Sequence, residues 1–402
     1  MAEHDGRKLI PLEGLRGIAA AIVVLYHLVL AFTPKGVGVV PHGHGVLDLI
    51  IQFLLGMLNG GAAVAVFFVL SGFILSLPFA QDRRLSRILV GALKRWPRLA
   101  GLTAIGCLFA FALISWSGQD YQAAARIIGA KWLATHGNAP ISLADLTWQA
   151  ALREGLINVF TQGEVNFDSP LWTMRIELFG SFAVFLAAPI LFAIRGWGVR
   201  LGLVAAAFLL TGLGYPYTYF ADFLTGTVLA MLYAERRLPE LGNLRAAGLG
   251  LLGLYLFSFT YEQALLIHAP LKRLIPGEDS HYIWDAGAAL IILVLLGNPA
   301  MRRWFSGGWA IWLGFLSFPI YVLHGPLMLS AGSSAFMQGV GVLGLPVAAL
   351  LAAFCSLALT LLCAMPLAWM DRLWTRLLGA LTRPLMRPRA APFGMGLARG
   401  QG

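Results

Sequence analysis

The sequence predicts an all-α, polytopic membrane protein with about ten transmembrane helices and both termini in the cytoplasm. Of its 402 residues, 58% are hydrophobic and only 12% are charged, whereas soluble domains carry roughly a quarter charged residues. Apolar runs long enough to cross a bilayer as helices recur along the chain. The basic residues fall in short clusters between these runs. This pattern indicates membrane topology and argues against a nucleic-acid partner, despite the net charge of +10.

Ten segments have the composition of spans, taking about 20 residues as the length that crosses a membrane. The segment at 46–58 is apolar but reaches only about 20 Å as a helix, so we expect it to lie on the membrane or to re-enter it. With both termini inside, twenty-two of the 29 Lys and Arg residues face the cytoplasm and six face outward, as the positive-inside rule requires. The predicted spans are 11–31, 61–79, 99–117, 172–194, 198–214, 217–234, 246–260, 283–297, 309–329 and 345–367.

We predict one transmembrane domain over residues 1–382. Within it, residues 118–171 form an extracytoplasmic cap, with amphipathic helices around 123–134 and 143–159. The cap is either a structural lid or a surface that binds an acceptor. The Pro-, Gly- and Arg-rich stretch at 383–402 is predicted to be a disordered cytoplasmic tail. No removable signal peptide and no metal site are expected, because neither a cleavage pattern nor a metal-ligand spacing is present.

The first span carries two polar residues that suggest function. Arg16 and His27 are eleven residues apart, so they lie within about 20° of one helix face and about 16 Å apart along the axis. An arginine in hydrocarbon costs about 2.5–3.5 kcal/mol on insertion scales, so such residues usually face a polar interior. The alternative is that Arg16 extends to the interface and His27 makes a structural hydrogen bond.

Two further motifs could bind a substrate. The second span contains small residues around Ser71, which allow a neighbouring helix or a thin ligand to approach the backbone. Arg95 and Arg98 are three residues apart, so they share one helical face at the mouth of the third span. Forked arginine donors in this arrangement can hold a phosphate, and an adenine nucleotide carrier such as coenzyme A would suit them. Alternatively, the small residues around Ser71 only allow close helix packing, and Arg95 and Arg98 are part of the ordinary positive charge of a cytoplasmic loop.

Two later spans carry titratable groups. Glu177 opens the fourth span and needs a partner on another helix. The ninth span places Tyr321 and His324 between two prolines, which makes it a plausible wall of a polar pocket. Counting residues from the predicted outer boundary puts His27, Glu177 and His324 about 6–8 Å deep. A histidine whose tautomer is fixed by a carboxylate can act as a general base on a hydroxyl. The arrangement suggests a donor held inside and an acceptor met outside.

These residues lie in motifs that resemble the acyltransferase-3 family of integral-membrane O-acyltransferases. The likeness runs from about Pro11 to Met370, and the first motif is the most specific. After the acid, Leu178 to Ser181 depart from the aromatic pair of many bacterial members, so the acceptor class stays open. The motifs are, in chain order, EGLRG…VVLYH, FFVLSGFIL, KRWPRL, SPLWTMRIELFGSF and LSFPIYVLHGPL.

The resemblance implies transfer of an acyl group, commonly acetyl, from coenzyme A to a hydroxyl of a polysaccharide, glycolipid or glycosylated metabolite. It implies that His27 is the catalytic histidine with Arg16 in the same site, and that Arg95 and Arg98 contact the donor. Glu177 and His324 match the acid and the histidine of two further family motifs. Either His27 deprotonates the acceptor hydroxyl, oriented by Glu177 or another acid, or it carries the acyl group itself.

We therefore expect a multi-pass acyltransferase of the cell (inner) membrane with acyl-CoA as a co-substrate, which the resemblance implies is acetyl-CoA, and no tightly bound cofactor. Its expected partners are the lipid bilayer, the donor and a hydroxylated, glycan-like acceptor. The alternative is a proton-coupled transporter or flippase, whose buried His and Glu residues would relay protons.

Overall fold

The computed structural model of the chain describes residues 9–33, 45–118, 120–135, 142, 145–260, 266–274 and 280–386. This part of the chain is built from helices and contains no β-strand. The all-α prediction is therefore confirmed for the described residues.

The principal helices are numbered here in chain order. Helix α7 continues through a π-helical stretch, Glu154–Asn158, and a short turn, Val159–Thr161. The helices are α1 (Ile10–Phe32), α2 (Val46–Gly56), α3 (Gly60–Asp82), α4 (Leu85–Ser117), α5 (Asp120–Ile128), α6 (Lys131–Thr135), α7 (Trp148–Arg153), α8 (Thr173–Ala193), α9 (Trp197–Thr211), α10 (Thr218–Ala234), α11 (Asn243–Phe257), α12 (His281–Gly297), α13 (Gly308–Leu327), α14 (Ser333–Leu343) and α15 (Leu345–Thr382).

Six helical stretches in the described residues are long and apolar enough to cross a membrane. They are Ile10–Phe32, Gly60–Asp82, Leu85–Trp116, Ser169–Ala193, Gly308–Leu343 and Leu345–Met386. Helices α2, α9, α11 and α12 are apolar but shorter. The chain is thus a multi-pass helical protein, while the count of ten spans and the side of each terminus stay predictions.

Two helices extend well beyond their predicted spans. Helix α4 begins at Leu85 rather than near residue 99, and α15 continues to Thr382 rather than ending near 367. Both extensions carry arginines, which favour helix formation almost as well as leucine does. Apolar composition marks the part of a helix that suits hydrocarbon, so it underestimates a helix that continues past it. As a result α4 carries the whole Arg95 to Arg98 segment in helical register.

Close helix packing brings the polar residues together. Helices α3 and α10 meet at Gly72 and Gly226: a Cβ on Gly72 would lie 2.1 Å from the carbonyl oxygen of Phe223, and one on Gly226 would lie 2.0 Å from that of Val69. Helices α1 and α13 meet in the same way at Gly17, where a Cβ would lie 2.6 Å from the α13 backbone. Only glycine permits such approach, so these contacts set the positions of Ser71 and Arg16.

The segment predicted to form the cap contains α5, α6 and α7. The structure describes it apart from residues 119, 136–141, 143 and 144. Helix α7 and its π-helical continuation pack along α4, where Thr103 Oγ1 donates a 2.6 Å hydrogen bond to the Gly155 carbonyl. The side of the membrane on which the cap lies stays a prediction. In the predicted tail, Arg383–Met386 forms a 3₁₀ turn and residues 387–402 lie outside the described part.

Candidate active site

A cavity of about 200 Å³ lies between α1, α3, α4, α8 and α13. Six of the eight residues predicted from the sequence to form the site line it: Arg16, Ser71, Arg95, Arg98, Glu177 and Tyr321. The remaining lining residues are Val64, Phe67, Phe68, Leu99, Thr173, Met174, Ser317 and Phe318. The cavity thus combines three arginines and one carboxylate with several hydroxyl groups and an apolar wall.

Glu177 is the centre of one polar network in this cavity. Its Oε1 accepts a hydrogen bond from Arg95 Nη2 and another, of 2.6 Å, from Ser71 Oγ. Arg95 Nε also donates to Ser181 Oγ at 2.6 Å. The side chains of Arg95 and Glu177 are 14% and 10% exposed, so the pair is largely removed from water. Each charge therefore compensates the desolvation of the other.

Arg16 holds the α1 side of the cavity. Its guanidinium pairs with Glu13 one turn earlier, with 2.5 Å between Nη2 and Oε2. It also donates to Ser317 Oγ at 2.9 Å and to the Gly314 carbonyl at 3.2 Å, both on α13. Arg16 therefore faces the protein interior, as predicted for the polar face that it shares with His27.

Arg98 is bound by a residue that sequence reasoning did not identify. Asp371 of α15 accepts hydrogen bonds from both terminal nitrogens of Arg98, one of them 2.9 Å between Nη2 and Oδ2. Arg95 and Arg98 thus have different carboxylate partners. Neither guanidinium is free, so the joint clamp expected from their spacing is not formed in this structure.

The two histidines form a pair next to the cavity. The distance between His27 Nδ1 and His324 Nε2 is 2.9 Å, and the two rings are nearly parallel with centroids 5.1 Å apart. The His27 ring also stacks on Trp132 of α6, with centroids 4.9 Å apart. His324 is buried, whereas His27 is only half-buried. Because His27 retains exposure, a ligand can reach its ring.

Tyr321 connects the histidine pair to the cavity. Its ring lines the cavity and lies 5.8 Å from the ring of His324, one turn along α13. Its hydroxyl donates to the Pro170 carbonyl at 2.6 Å and lies 2.7 Å from Thr173 Oγ1. The same tyrosine therefore packs against the start of α8 and lies between the arginine-rich cavity and the histidine pair.

Two details of the predicted site are corrected by these contacts. His27 is bonded to His324, and among the described residues Glu177 is bonded to Arg95 and Ser71 instead of to His27. The depth estimate, which separated Glu177 from Arg95 by most of the membrane, is wrong because the two side chains touch. It failed because α4 begins at Leu85, so that Arg95 lies ten residues inside this helix, whereas the estimate placed Arg95 ahead of a span that starts at residue 99.

Asp168 is a buried acid that the sequence reasoning missed. It is fully buried, and neither carboxylate oxygen has a hydrogen-bond partner among the described residues. It fills the space left by two glycines: a Cβ on Gly325 would lie 2.8 Å from its Oδ1, and one on Gly106 would lie 3.4 Å from its Oδ2. Burial, and secondly the nearby Glu154, raise the pKa of Asp168 well above its usual value. The SPLW motif that follows Asp168 was the available signal, since it fixes the start of α8.

Replacing Asp168 with Asn should change how stability depends on pH. A raised pKa means that the folded state binds a proton more tightly than the unfolded state, so the stabilisation is present at acidic pH and is lost as pH rises from about 4 towards the folded pKa. Asp168→Asn should remove this loss and raise the melting temperature at pH 8, with little change at pH 4. Thermal unfolding of both proteins in detergent at several pH values tests this. A variant that is less stable than wild type at pH 8 would contradict the assignment.

Asp222, a buried acid without an assigned role in the sequence, lies away from the cavity lining. Its Oδ2 is 3.0 Å from Nε2 of His281. Asp285 follows one turn later on α12, and its Oδ2 accepts a 2.8 Å hydrogen bond from Thr225 Oγ1. These groups link α10 to α12, so a role in helix packing accounts for their positions.

Among the described residues, no group of three or more His, Cys, Asp or Glu side chains has the arrangement of a metal site. Cys107, Cys355 and Cys363 are all free thiols.

The helical architecture and the charged interior cavity define a multi-pass membrane protein with a polar site between its spans. The chain belongs to the acyltransferase-3 family, since the family's acyltransferase-domain model matches residues 10–369. The family assignment made from the motifs is confirmed.

A characterised relative agrees with this assignment. The O-acetyltransferase PaAT-1 of Phomopsis amygdali is 24% identical to this chain over 374 residues, which cover 83% of this chain and 75% of the relative. No solved structure matches the chain.

Proposed function

We propose that this protein transfers an acyl group, specifically acetyl, from acyl-CoA to a hydroxyl of a carbohydrate, glycolipid or glycosylated metabolite. The observation that carries the proposal is the His27–His324 pair beside a cavity lined by three arginines. The family and the O-acetyltransferase relative support the reaction class.

The hydrogen bonds of the histidine pair support a base role for His27. His324 Nδ1 lies 2.7 Å from the Tyr321 carbonyl, which can only accept, so this nitrogen carries the proton. When neutral, His324 then has an unprotonated Nε2 that accepts from His27 Nδ1. A neutral His27 consequently keeps its lone pair on Nε2. His324 thus performs the tautomer-fixing role that a carboxylate performs in other histidine-based sites.

With this tautomer the transfer balances. His27 Nε2 takes the proton of the acceptor hydroxyl as its oxygen attacks the thioester carbonyl. The tetrahedral intermediate collapses with cleavage of the carbon–sulfur bond, and the coenzyme A thiolate leaves and takes up a proton. In the alternative route His27 Nε2 attacks the thioester and expels the coenzyme A thiolate; the acceptor oxygen then takes the acyl group from Nε2, and the hydroxyl proton passes to the thiolate. Both routes need an unprotonated Nε2.

The cavity suits the narrow end of the donor. Pockets that enclose a whole drug-sized ligand measure about 300–1,000 Å³, whereas this one measures about 200 Å³. It is therefore the size for an acyl-pantetheine arm, with the adenosine end remaining outside. Its three arginines present forked donors of the kind that bind the phosphates of an anionic donor. Arg16, Arg95 and Arg98 are the candidate donor contacts, and Ser71 and Ser317 can hydrogen-bond the amides of the arm.

Coenzyme A binding is the direct test of this function. A ligand that binds only the folded state raises stability by RT ln(1 + [L]/Kd), about 2.7 kcal/mol at a hundredfold excess over Kd. Coenzyme A should therefore raise the melting temperature of the purified protein, and cells expressing it should add an acetyl mass to envelope glycans or small glycosides, as seen by mass spectrometry. Proton-driven substrate flux without any coenzyme A requirement would favour the transporter alternative and contradict the proposal.

A further inference from the structure

Arg98 is a cavity-lining residue whose donors are already occupied. Both of its terminal nitrogens bind the two carboxylate oxygens of Asp371 side by side. The side chains of Arg98 and Asp371 are 26% and 14% exposed, respectively. Asp371 itself is not part of the cavity wall. It approaches Arg98 from α15.

This side-by-side arrangement is also the one with which arginine binds a phosphate. The two N–H groups of the fork cannot bind a carboxylate and a phosphate at the same time. Any phosphate that binds Arg98 through these groups must first displace Asp371. In contrast, Arg95 is bonded to a glutamate in the cavity and to Ser181, and is less exposed than Arg98.

The helix that carries Asp371 is fixed close to Arg98. The indole of Trp374, one turn along α15, donates a 2.9 Å hydrogen bond to the Pro97 carbonyl. The same indole lies on the α4 backbone, since a Cβ on Gly101 would be 2.9 Å from its Nε1. The α15 backbone therefore stays in place when the carboxylate releases Arg98. Asp371 remains within reach as a tethered competing anion.

We propose that Asp371 is a specificity-determining residue that occupies the phosphate fork of Arg98 until the acyl donor displaces it. The inference rests on the proposed function, which makes a phosphate of the donor the ligand of this fork. A small anion gains only the hydrogen bonds to the Arg98 fork, so its binding does not offset the loss of the Arg98–Asp371 contact. An acyl-CoA gains further contacts along its arm and can offset that loss. Asp371 thus excludes free phosphate compounds by making the contact costly for them.

Replacing Asp371 with Asn tests this directly. Asn has the same shape but no charge, so the fork should be free for a larger fraction of the time. The apparent Kd is the intrinsic Kd divided by the competent fraction. If that fraction is about one tenth in the wild type, Asp371→Asn should lower the coenzyme A Kd and the acyl-CoA KM about tenfold. The change should fall on KM rather than kcat, and inhibition by inorganic pyrophosphate should strengthen by at least as much.

Asp82→Asn is a matched control. Asp82 also pairs with an arginine, with 2.7 Å between its Oδ2 and Arg87 Nε, but neither residue lines the cavity. It should leave both constants unchanged. Asp371→Glu, which keeps the competing charge, should keep weak pyrophosphate inhibition and shows whether position 371 tolerates change. Coenzyme A binding is measured as the shift in melting temperature relative to each variant without ligand, so a loss of stability does not obscure it.

The possible outcomes distinguish a failure of the role proposed for Asp371 from a failure of the proposed function. A higher KM in Asp371→Asn would mean that Asp371 positions Arg98 for the donor, and an unchanged KM would mean that the fork does not bind it; either overturns the inference while coenzyme A binding stands. If neither the wild type nor any variant binds coenzyme A, the proposed function fails and the inference fails with it.

Discussion

His27→Ala should reduce acyl transfer by about 10²–10⁴-fold, the usual contribution of a positioned general acid–base group. The loss should fall on kcat, because the imidazole contacts His324 and Trp132 and does not line the arginine-rich cavity. Coenzyme A should still raise the melting temperature of the variant. The measurement is acetyl transfer at saturating acetyl-CoA, together with thermal unfolding with and without coenzyme A.

His324→Gln and His268→Gln provide the comparison. Gln at 324 lacks the imidazole that accepts from His27 Nδ1, so the tautomer is less strongly fixed and activity should fall less than in His27→Ala. His268 is also a buried histidine, but it is bonded to Ser258, away from the site, and its change should leave transfer intact. Turnover retained in His27→Ala would remove the catalytic assignment. Release of one equivalent of coenzyme A before an acceptor is added would favour the acyl-carrier route.

Glu177→Gln should lower both stability and activity. It leaves the Arg95 guanidinium largely buried without its charge partner, and breaking a buried pair in this way costs about 3–5 kcal/mol. Ser71 would also lose the charged acceptor of its 2.6 Å hydrogen bond, which alters the cavity wall. The measurements are thermal unfolding and the KM for acetyl-CoA. The melting temperature should fall and the KM should rise.

A double-mutant cycle with Arg95→Met separates the pair from its surroundings. Because the double variant has no unpaired charge, its loss of stability should be smaller than the sum of the two single losses. Activity should not return, since Arg95 is a candidate donor contact. Glu235→Gln is the matched control: Glu235 pairs with Arg200 and Trp197 away from the cavity, so acyl transfer should persist. Additive losses would show that Arg95 and Glu177 do not act as a pair.

Much of the architecture can be read from local properties of the sequence. Nine of the ten predicted spans correspond to helices whose starts lie within about three residues of the predicted ones. The exception is the third predicted span, which corresponds to α4 and starts fourteen residues earlier than predicted, at Leu85. Hydropathy measures the suitability of a segment for hydrocarbon, and that quantity is local. It therefore finds apolar helices well and finds the charged extension of α4 poorly.

The site divides in the same way. The cost of placing charged groups in an apolar segment identified Arg16, His27, Glu177 and His324. The three-residue spacing of two arginines on one helical face identified Arg95 and Arg98. The partners were not predictable: Arg95 and Glu177 are 82 residues apart and Arg98 and Asp371 are 273 apart. Nothing within either segment distinguishes one distant acid from another.

The sequence by itself determined a multi-pass helical protein of the acyltransferase-3 family and most of the residues that form its interior site. Only the tertiary structure decided that Glu177 pairs with Arg95, that His324 is hydrogen-bonded to His27, and that Asp371 pairs with Arg98. The physical reason is that composition and periodicity act over a few turns of chain. Pairing depends on how closely distant helices approach, which glycines such as Gly17 and Gly72 set by omitting a side chain.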